Sequence, residues 1–203
     1  MTTLAPSSAA ALVRPRLSAW WRAGAAALVA TALAGGAGAS QTVPKESVSA
    51  CALLLQRLPG VRAEQCEAAR LTPSGARSRL GTALYWRDIL PQRPDIDTLR
   101  VLVVGAMHGD ELTSGALALR WIGLAEQTQR PVHWRFIPVL NPDGLLAKKP
   151  SRTNAHGVDL NRNFNTPGWK LDAPRYWRER TRKDPRRWPG PEPLSEPESL
   201  FLH

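Results

Sequence analysis

The sequence has 203 residues, 43% of them apolar and 22% charged, which allows one ordinary domain with extra segments and excludes a chain too polar to build a packed core. Its formal net charge of +10 comes from 27 Lys and Arg against 17 Asp and Glu. A basic balance of this size favours an anionic partner, such as a nucleic acid, a membrane surface or an acidic polymer, without choosing among them.

Residues 1–40 have the layout of a secretory signal peptide. Several arginines precede an uncharged run, residues 23–39, that consists almost entirely of Ala, Leu, Val and Gly. The small residues that end this run indicate cleavage near Ala39 or Ser40. An uncleaved membrane anchor is the alternative, although the run is short for a permanent span. We therefore expect a secreted or periplasmic protein that has no stable membrane span after cleavage.

Residues 41–95 are predicted to form an N-terminal accessory segment and a first strand. Apolar residues at helical spacing favour a helix over residues 48–58, and an aromatic, partly apolar stretch favours a strand over residues 83–89. Cys51 and Cys66 are the only cysteines. In an oxidising compartment they are expected to pair as a disulfide, with two buried thiols as the alternative.

The strongest pattern in the chain is a strand, a helix and a second strand. Residues 99–106 read LRVLVVGA, a β-branched run typical of a strand buried on both faces. A helix with an apolar side is predicted over residues 111–127, and a strand over residues 132–139. Such units build sheets with helices packed on their faces, so the sequence predicts an α/β fold.

Regular patterns fade in residues 165–194, which are rich in Pro, Gly, Arg and Trp. Within them, residues 175–187 hold six Arg and one Lys. This basic run is either a solvated loop or a rim that attracts an anionic substrate. Nucleic-acid binding has only the charge in its favour, and export weighs against it, so no nucleic acid is expected as partner. A final helix is predicted from Ser195, with Glu198 completing a capping box.

Two residues next to the first buried strand have the chemistry of metal ligands. His108 follows the carboxyl end of the strand, where open α/β sheets bind ligands, and Glu111 begins the next helix. Zinc accepts an imidazole nitrogen and a carboxylate oxygen at about 2.0 to 2.2 Å, and Gly109 is expected to permit the bend between the two residues. Taken alone, a His-x-x-Glu motif is more often structural than metal-binding.

A second block of polar residues, 152–164, reads RTNAHGVDLNRNF. Arg152, Asn161 and Arg162 in this block are donors suited to carboxylates and oxyanions. Peptide hydrolysis needs a water whose pKa a metal lowers to about 7 and a cation that stabilises the oxyanion. A polar loop with an Asx turn is the structural alternative for this block.

Together, GAMHGDE, NPDG and RTNAHGVDLNRNF resemble the zinc carboxypeptidase family and, within it, the bacterial murein peptide amidases. The resemblance covers about residues 99–203 and implies a three-layer α/β/α fold with a mixed sheet. It implies Zn²⁺ held by His108 and Glu111, and a catalytic Arg152 that polarises the scissile carbonyl and also binds substrate. Asn161 and Arg162 would hold a substrate carboxylate.

The family also implies the substrate. It hydrolyses an amide next to a free carboxylate, and in the murein amidases that amide joins γ-D-glutamate to diaminopimelate. The expected partner is therefore a peptide, namely a murein peptide.

The sequence departs from the family at the third zinc ligand and the catalytic Glu, which the family places beyond the helix that starts near Ser195. His133, His156 and His203 do not lie where the third ligand is expected. We therefore expect residues 96–203 to be the N-terminal part of a catalytic domain, incomplete at the C-terminus and inactive as given.

Two other functions fit parts of the pattern. Succinylglutamate desuccinylase and aspartoacylase-like enzymes share a His-x-x-Glu and a DLNR-like segment, but the signal peptide and the longer match of residues 152–164 argue against them. A non-catalytic peptidoglycan-binding remnant would keep the arginines and lose the metal.

Overall fold

The computed structural model describes residues 45–91, 98–128 and 131–203, and the side chains of all of these except 45–48. The predicted signal peptide, residues 1–40, lies outside the described residues. Within these ranges no helix is long and apolar enough to cross a bilayer.

The described chain alternates short strands and helices. The strands are β1 (Thr72–Arg77), β2 (Ala83–Ile89), β3 (Leu99–Val104) and β4 (Val132–Ile137). The α-helices are α1 (Lys45–Leu54), α2 (Ala63–Ala68), α3 (Leu112–Gln127), α4 (Pro142–Leu146), α5 (Trp169–Glu179) and α6 (Pro197–Leu202). Two turns of 3-10 helix cover Leu160–Arg162 and Pro185–Arg187.

The four strands form one mixed sheet in the order β1-β2-β4-β3. β2 is antiparallel to both β1 and β4, whereas β3 and β4 are parallel and are connected through α3. In the parallel pair Leu99 lies opposite Val132, and Val104 lies opposite Ile137. The predicted α/β class with a mixed sheet is confirmed.

Two apolar clusters cover the two faces of the sheet. Successive side chains of a strand point to opposite faces, so Phe136 and Ile137 of β4 enter different clusters. Phe136 packs with α1, α2 and α3, and Ile137 packs with Leu140, Leu160 and the α6 residue Phe201. Helices therefore lie on both faces of the sheet, as a three-layer arrangement requires.

The accessory segment is joined to the first of these clusters. Cys51 of α1 and Cys66 of α2 are both buried and form a disulfide with a Cα–Cα distance of 5.8 Å. Both cysteines pack in the cluster that contains Leu119 and Phe136. The two N-terminal helices are thus fastened to each other where they cover the sheet.

The prediction that β3 is buried on both faces is wrong. Leu99 is 61% exposed and Leu102 is 51% exposed. Among the described strands, β3 pairs only with β4, so it lies at the edge of the sheet. Its β-branched composition is that of an inner parallel strand, and composition alone does not reveal how many neighbours a strand has.

The C-terminal elements also differ from the prediction. Residues 165–194 contain a helix, α5, which the polar composition and Pro174 concealed. Trp169 and Trp177 hold α5 in place because their indole N–H groups donate to the carbonyls of Arg162 and Asp184, at 2.6 and 2.7 Å. The predicted capping box is wrong as well.

In place of the capping box, α6 begins two residues later than expected. Its N-cap is Glu196, whose side chain makes no capping bond. The Ser195 hydroxyl donates to the Glu196 carboxylate at 2.8 Å, and the Glu198 carboxylate accepts from the Arg79 backbone N–H at 2.9 Å. Glu198 is buried and ties α6 to the turn after β1, so it is used in a tertiary contact.

Candidate active site

The loop that follows β3 is fixed by a serine from the first turn of α3. The hydroxyl of Ser114 accepts from the Ala106 backbone N–H at 2.9 Å and donates to the Glu111 carbonyl at 2.7 Å. Ala106 has a φ of 38°, which alanine rarely adopts and which turns the chain sharply at the end of the strand. The two hydrogen bonds of Ser114 thus fix the short loop that carries His108 and Glu111.

Gly109 is needed in this loop for space. The chain turns between His108 and Glu111 as expected, with the Glu111 backbone N–H donating to the His108 carbonyl at 3.1 Å, but the φ of Gly109 is not positive. A Cβ at this position would lie 2.2 Å from the carbonyl carbon of Gly144 and 2.3 Å from the backbone nitrogen of Leu145. Both neighbours are backbone atoms of α4, so the loop that carries His108 lies directly against the NPDG segment.

His108 is buried and has a partner at each ring nitrogen. Its Nδ1 lies 2.9 Å from Oε1 of Glu111, and its Nε2 lies 3.0 Å from Oδ1 of Asp159. The structure therefore brings together the imidazole and the carboxylate that the sequence predicts as metal ligands. The ring is held from behind by Asp159, which leaves Nδ1 as the nitrogen that faces Glu111.

Arg152 completes the arrangement. Its Nε and Nη2 both lie 3.1 Å from Oδ2 of Asp159, and its Nη1 lies 3.7 Å from Oε1 of Glu111. Asp159 is fully buried between His108 and Arg152, so it orients both. Sequence reasoning did not single out Asp159, although it is the acidic residue of the DLNRNF segment.

The charged forms of Asp159 and His108 stabilise each other. Burial raises the pKa of Asp159, but the hydrogen bond from His108 and the charge of Arg152 outweigh it, so the pKa lies below its ordinary value. Burial lowers the pKa of His108, but the hydrogen bonds to Asp159 and Glu111 outweigh it, so the pKa lies above its ordinary value. Asp159 is thus a carboxylate anion that attracts positive charge to His108.

His108 and Glu111 provide donor atoms suited to two of the ligand positions of a zinc ion. Two ligands about 2.0 to 2.1 Å from a tetrahedral ion are separated by about 3.3 Å. His108 Nδ1 and Glu111 Oε1 are 2.9 Å apart, so a few tenths of an ångström would have to open between them. The Glu111 side chain is 53% exposed and free to make this movement. A carboxylate behind the far nitrogen is also usual for a histidine that binds zinc.

The described residues do not provide a third ligand. Across residues 45–91, 98–128 and 131–203, no group of three or more His, Cys, Asp or Glu is arranged to hold a metal ion. His156 contacts Glu196 at 3.1 Å, and His133 lies 3.6 Å from Asp88 on the sheet. His203 is an exposed residue at the end of α6.

Asn161 and Arg162 follow Asp159 in one turn of 3-10 helix. The Asp159 carboxylate caps this turn by accepting the Asn161 backbone N–H at 3.2 Å, so the turn is tied to the residue that orients His108. Both residues line an open cavity of about 510 Å³. The Nε of Arg162 is buried and has no hydrogen-bond partner in the described part of the chain. Arg162 thus contributes to the wall of the cavity, while its Nε lies below the accessible surface.

The basic run 175–187 reaches the same region. Arg186 donates to the Asp110 carboxylate at 2.8 Å, and Asp110 is the residue before Glu111. Asp159 also donates its backbone N–H to the carbonyl of Trp188, at 2.8 Å. The segment after α5 therefore lies beside the loop of His108 rather than away from it.

The sequence matches known proteins over this part of the chain. The profile of the zinc carboxypeptidase family matches residues 95–202, which is more than half of the chain. Murein peptide amidase A of Escherichia coli K12 is 36% identical over 130 residues, covering 62% of this chain and 50% of that protein. Carboxypeptidase SOL1 of Arabidopsis thaliana is 42% identical over 71 residues, covering 30% of this chain and 14% of that protein.

Solved structures show the same fold. Carboxypeptidase A from Helicoverpa armigera has a TM-score of 0.54 at 23% identity, covering 69% of this chain and 39% of that chain. Bovine thrombin-activatable fibrinolysis inhibitor, solved with a tick carboxypeptidase inhibitor, has a TM-score of 0.52 at 19% identity, covering 76% and 51%. The chain therefore spans about half the length of these proteins or less.

Proposed function

The chain belongs to the zinc carboxypeptidase family, and from that premise we propose that it carries half of an active site that hydrolyses an amide next to a free carboxylate in murein peptides. The observation that carries the proposal is the group formed by His108, Glu111, Asp159 and Arg152, in which Asp159 holds both the imidazole and the guanidinium. The similarity to murein peptide amidase A supports the choice of a murein peptide.

His108 and Glu111 are the residues that would hold the zinc ion. A zinc ion at such a site supplies a water of lowered pKa and polarises a carbonyl oxygen. His108 presents Nδ1 because Asp159 occupies Nε2, and this fixes the orientation of the ring. Glu111 brings a negative charge to within 2.9 Å of that nitrogen.

Arg152 would polarise the scissile carbonyl. It is an always-charged guanidinium whose Nε and Nη2 are occupied by Asp159, while its Nη1 points towards Glu111 at 3.7 Å. A positioned cation of this kind stabilises the negative charge that develops on the carbonyl oxygen. Asp159 keeps Arg152 in place before substrate arrives.

Asn161 and Arg162 would bind the free carboxylate of the substrate. They lie two and three residues after Asp159 in sequence and line the open cavity of about 510 Å³. The planar guanidinium of an arginine can bind a carboxylate through two parallel hydrogen bonds. In this arrangement Arg152 would contact the scissile carbonyl, and Arg162 would contact the free carboxylate of the same substrate.

Hydrolysis needs two further groups, which the described residues do not bring to this site. By resemblance to the family, a third zinc ligand and a general-base Glu come from a later part of the domain. The proposed activity therefore requires a protein that also contains the third zinc ligand and the general-base Glu.

The test is release of diaminopimelate from a γ-D-glutamyl-diaminopimelate peptide by the complete product of the gene in the presence of zinc. Glu111→Ala and Arg152→Ala should each abolish turnover, whereas Glu126→Gln, on the far part of α3, should leave it unchanged. Unaltered turnover in Glu111→Ala would reject the metal assignment.

The same assay separates the two other functions. Hydrolysis of a small acyl amino acid in place of the peptide would favour the aspartoacylase-like alternative. Binding of the peptide without cleavage, at any zinc concentration, would favour a peptidoglycan-binding remnant.

A further inference from the structure

The basic run 175–187 contains cations that the candidate active site does not use. Residues 178–183 carry four cationic side chains and one acidic side chain, Glu179, which gives a formal charge of +3 in six residues. The four cations are exposed and form a basic cluster: Arg178, Arg180, Arg182 and Lys183. None of them has a side-chain partner in the part of the chain that the structure describes. Their charge is therefore available to an external anion.

The remaining cations of the run are already paired. Each lies 2.6 to 3.8 Å from a carboxylate oxygen, in the pairs Arg175–Asp172, Arg186–Asp110 and Arg187–Asp184. The unpaired positive charge of the run is thus concentrated at the end of α5 and in the loop that follows it.

The loop after α5 holds the basic cluster in a fixed backbone conformation. The Thr181 hydroxyl and the Lys183 backbone N–H both donate to the Trp177 carbonyl, at 2.7 and 2.9 Å. The indole N–H of Trp177 in turn donates to the Asp184 carbonyl at 2.7 Å. Arg182 and Lys183 have φ values of 53° and 60°, which residues other than glycine rarely adopt. Because this backbone is ordered before a partner arrives, binding loses less conformational entropy.

The outward side of α5 adds an apolar residue to these cations. Leu171, Arg175 and Arg178 are spaced by four and three residues, so they share one side of the helix. All three are exposed, and Leu171 is 77% exposed. The other side of α5 packs on the protein through the buried Trp169. The outward surface therefore combines unpaired cations with a leucine that the described chain leaves uncovered.

This combination favours an anionic bilayer over a soluble anionic polymer. Anionic headgroups attract Lys and Arg side chains that lie within about one Debye length, which is about 8 to 10 Å near physiological salt. A bilayer also has an apolar layer beneath its headgroups that a leucine can enter, whereas a soluble polyanion offers charge alone. The aliphatic stems of Lys and Arg can lie at this boundary while their charged ends stay in water.

We propose that the basic cluster and Leu171 together bind the surface of an anionic lipid bilayer. The cations contact lipid phosphates, and Leu171 enters the boundary between the headgroups and the acyl chains. The same segment is joined to the loop of His108 by the ion pair of Arg186 with Asp110, at 2.8 Å. Binding at this surface would therefore hold the candidate active site near the bilayer.

The test uses the full chain labelled at Leu171→Cys with a dye whose emission shifts to the blue in an apolar environment. The two native cysteines are joined in the disulfide, so the new thiol is the only one that reacts. A dye on α5 is needed because the uncharged run of residues 23–39 can bind a bilayer by itself.

Vesicles of about 30% phosphatidylglycerol in phosphatidylcholine should shift the emission of this dye, and vesicles of phosphatidylcholine alone should not. Raising NaCl from about 0.1 M to about 1 M should abolish the shift, because the Debye length falls from about 10 Å to about 3 Å. No shift with the anionic vesicles at the lower salt concentration would overturn the proposal.

A double variant tests the basic cluster. Arg178→Gln with Arg182→Gln should lower the equilibrium constant for contact between the dye and the bilayer about 25-fold, since each cation near an anionic membrane contributes about fivefold. The matched control is Arg62→Gln with Arg120→Gln, which removes the same charge from two exposed arginines before α2 and on α3. Equal losses in the two double variants would show a response to net charge alone and would overturn the assignment of the surface.

A second dye position tests which side of the protein faces the lipid. Leu124 of α3 is 55% exposed, and the same dye at Leu124→Cys should not respond to the vesicles. Equal responses at the two positions would mean that lipid binds without a preferred surface. Inorganic polyphosphate that binds with the same dependence on Arg178 and Arg182, while the Leu171 dye stays in water on vesicles, would identify a soluble polyanion in place of the bilayer. None of these measurements depends on hydrolysis, so their failure would leave the proposed function unaffected.

Discussion

Asp159 Oδ1 lies 3.0 Å from Nε2 of His108, on the side of the ring opposite to Glu111. Because Asp159 is fully buried and also binds Arg152, this contact fixes which imidazole nitrogen faces the candidate metal position. The two motifs of the sequence, His108 to Glu111 and Arg152 to Arg162, are joined through this one carboxylate.

Replacing Asp159 by Asn should therefore weaken zinc binding without changing the ligands. Loss of the carboxylate behind a zinc-binding histidine typically costs about 10- to 100-fold in affinity. Isothermal titration with zinc would measure the change, with Glu126→Gln as the control. Equal zinc affinity in Asp159→Asn and the wild type would mean that Asp159 has no part in orienting His108.

Gly109→Ala should destabilise the protein, because the added Cβ would lie 2.2 Å from the carbonyl carbon of Gly144. Backbone has to shift to accept it, and the expected loss in free energy of unfolding is about 1 to 3 kcal/mol. Gly123 of α3 is a matched control, since a Cβ there meets nothing within 4 Å. Gly123→Ala should stabilise the helix by about 0.5 to 1 kcal/mol.

Urea unfolding of Gly109→Ala and Gly123→Ala would measure both changes in the free energy of unfolding. A Gly109→Ala protein as stable as the wild type would show that the loop of His108 and α4 do not lie in contact.

Removing the disulfide by Cys51→Ala together with Cys66→Ala should lower the free energy of unfolding. For a sequence separation of 15 residues, the expected loss is about 3 kcal/mol. Urea unfolding of the oxidised wild type, the reduced wild type and the double variant would measure it, and the last two should agree. A loss below about 1 kcal/mol in both would show that α1 and α2 are held by packing alone.

The ion pair between Asp88 and Arg135 should give a pH-dependent contribution to stability. Arg135 donates to both Asp88 oxygens, at 2.7 and 2.6 Å, and these hydrogen bonds outweigh burial and hold the pKa of Asp88 below its ordinary value. His133, at 3.6 Å, acts in the same direction. A lowered carboxyl pKa stabilises the fold above the unfolded-state pKa of about 3.9 and loses that contribution as pH falls through the folded-state value.

The difference in free energy of unfolding between the wild type and Asp88→Asn should thus be larger above about pH 5 than below about pH 4. Arg135→Gln should reduce this dependence and leave the smaller part that His133 contributes. A difference that grows as pH falls would contradict the sign of the effect.

Much of the fold was predictable because the central elements have strong patterns. β2, α3 and β4 match predictions made from alternation, apolar spacing and β-branched runs, and α3 begins one residue after the expected position. β1 and α2 were missed, since Thr72–Arg77 contains both Pro73 and Gly75, which disfavour strands. The exposure of β3 depends on its position at the edge of the sheet, which local sequence does not encode.

In the candidate site, individual residues within a motif could be predicted from the sequence. Contacts between residues far apart in the sequence could not. His108, Glu111 and Arg152 could be named because their side chains have recognised roles, and the structure places them together. The link through Asp159 joins atoms 51 residues apart in sequence, so only the fold reveals it. The cavity that Asn161 and Arg162 line is also lined by α5, a helix that the polar sequence did not predict.

The position of zinc in crystals of this chain grown with excess zinc, read from an anomalous difference map at the zinc absorption edge, tests the proposed metal site most directly. This site requires a peak about 2.0 to 2.2 Å from both Nδ1 of His108 and a carboxylate oxygen of Glu111, with Asp159 still bound to Nε2. Zinc found only elsewhere, or bound to His108 through Nε2 with Asp159 displaced, would contradict it.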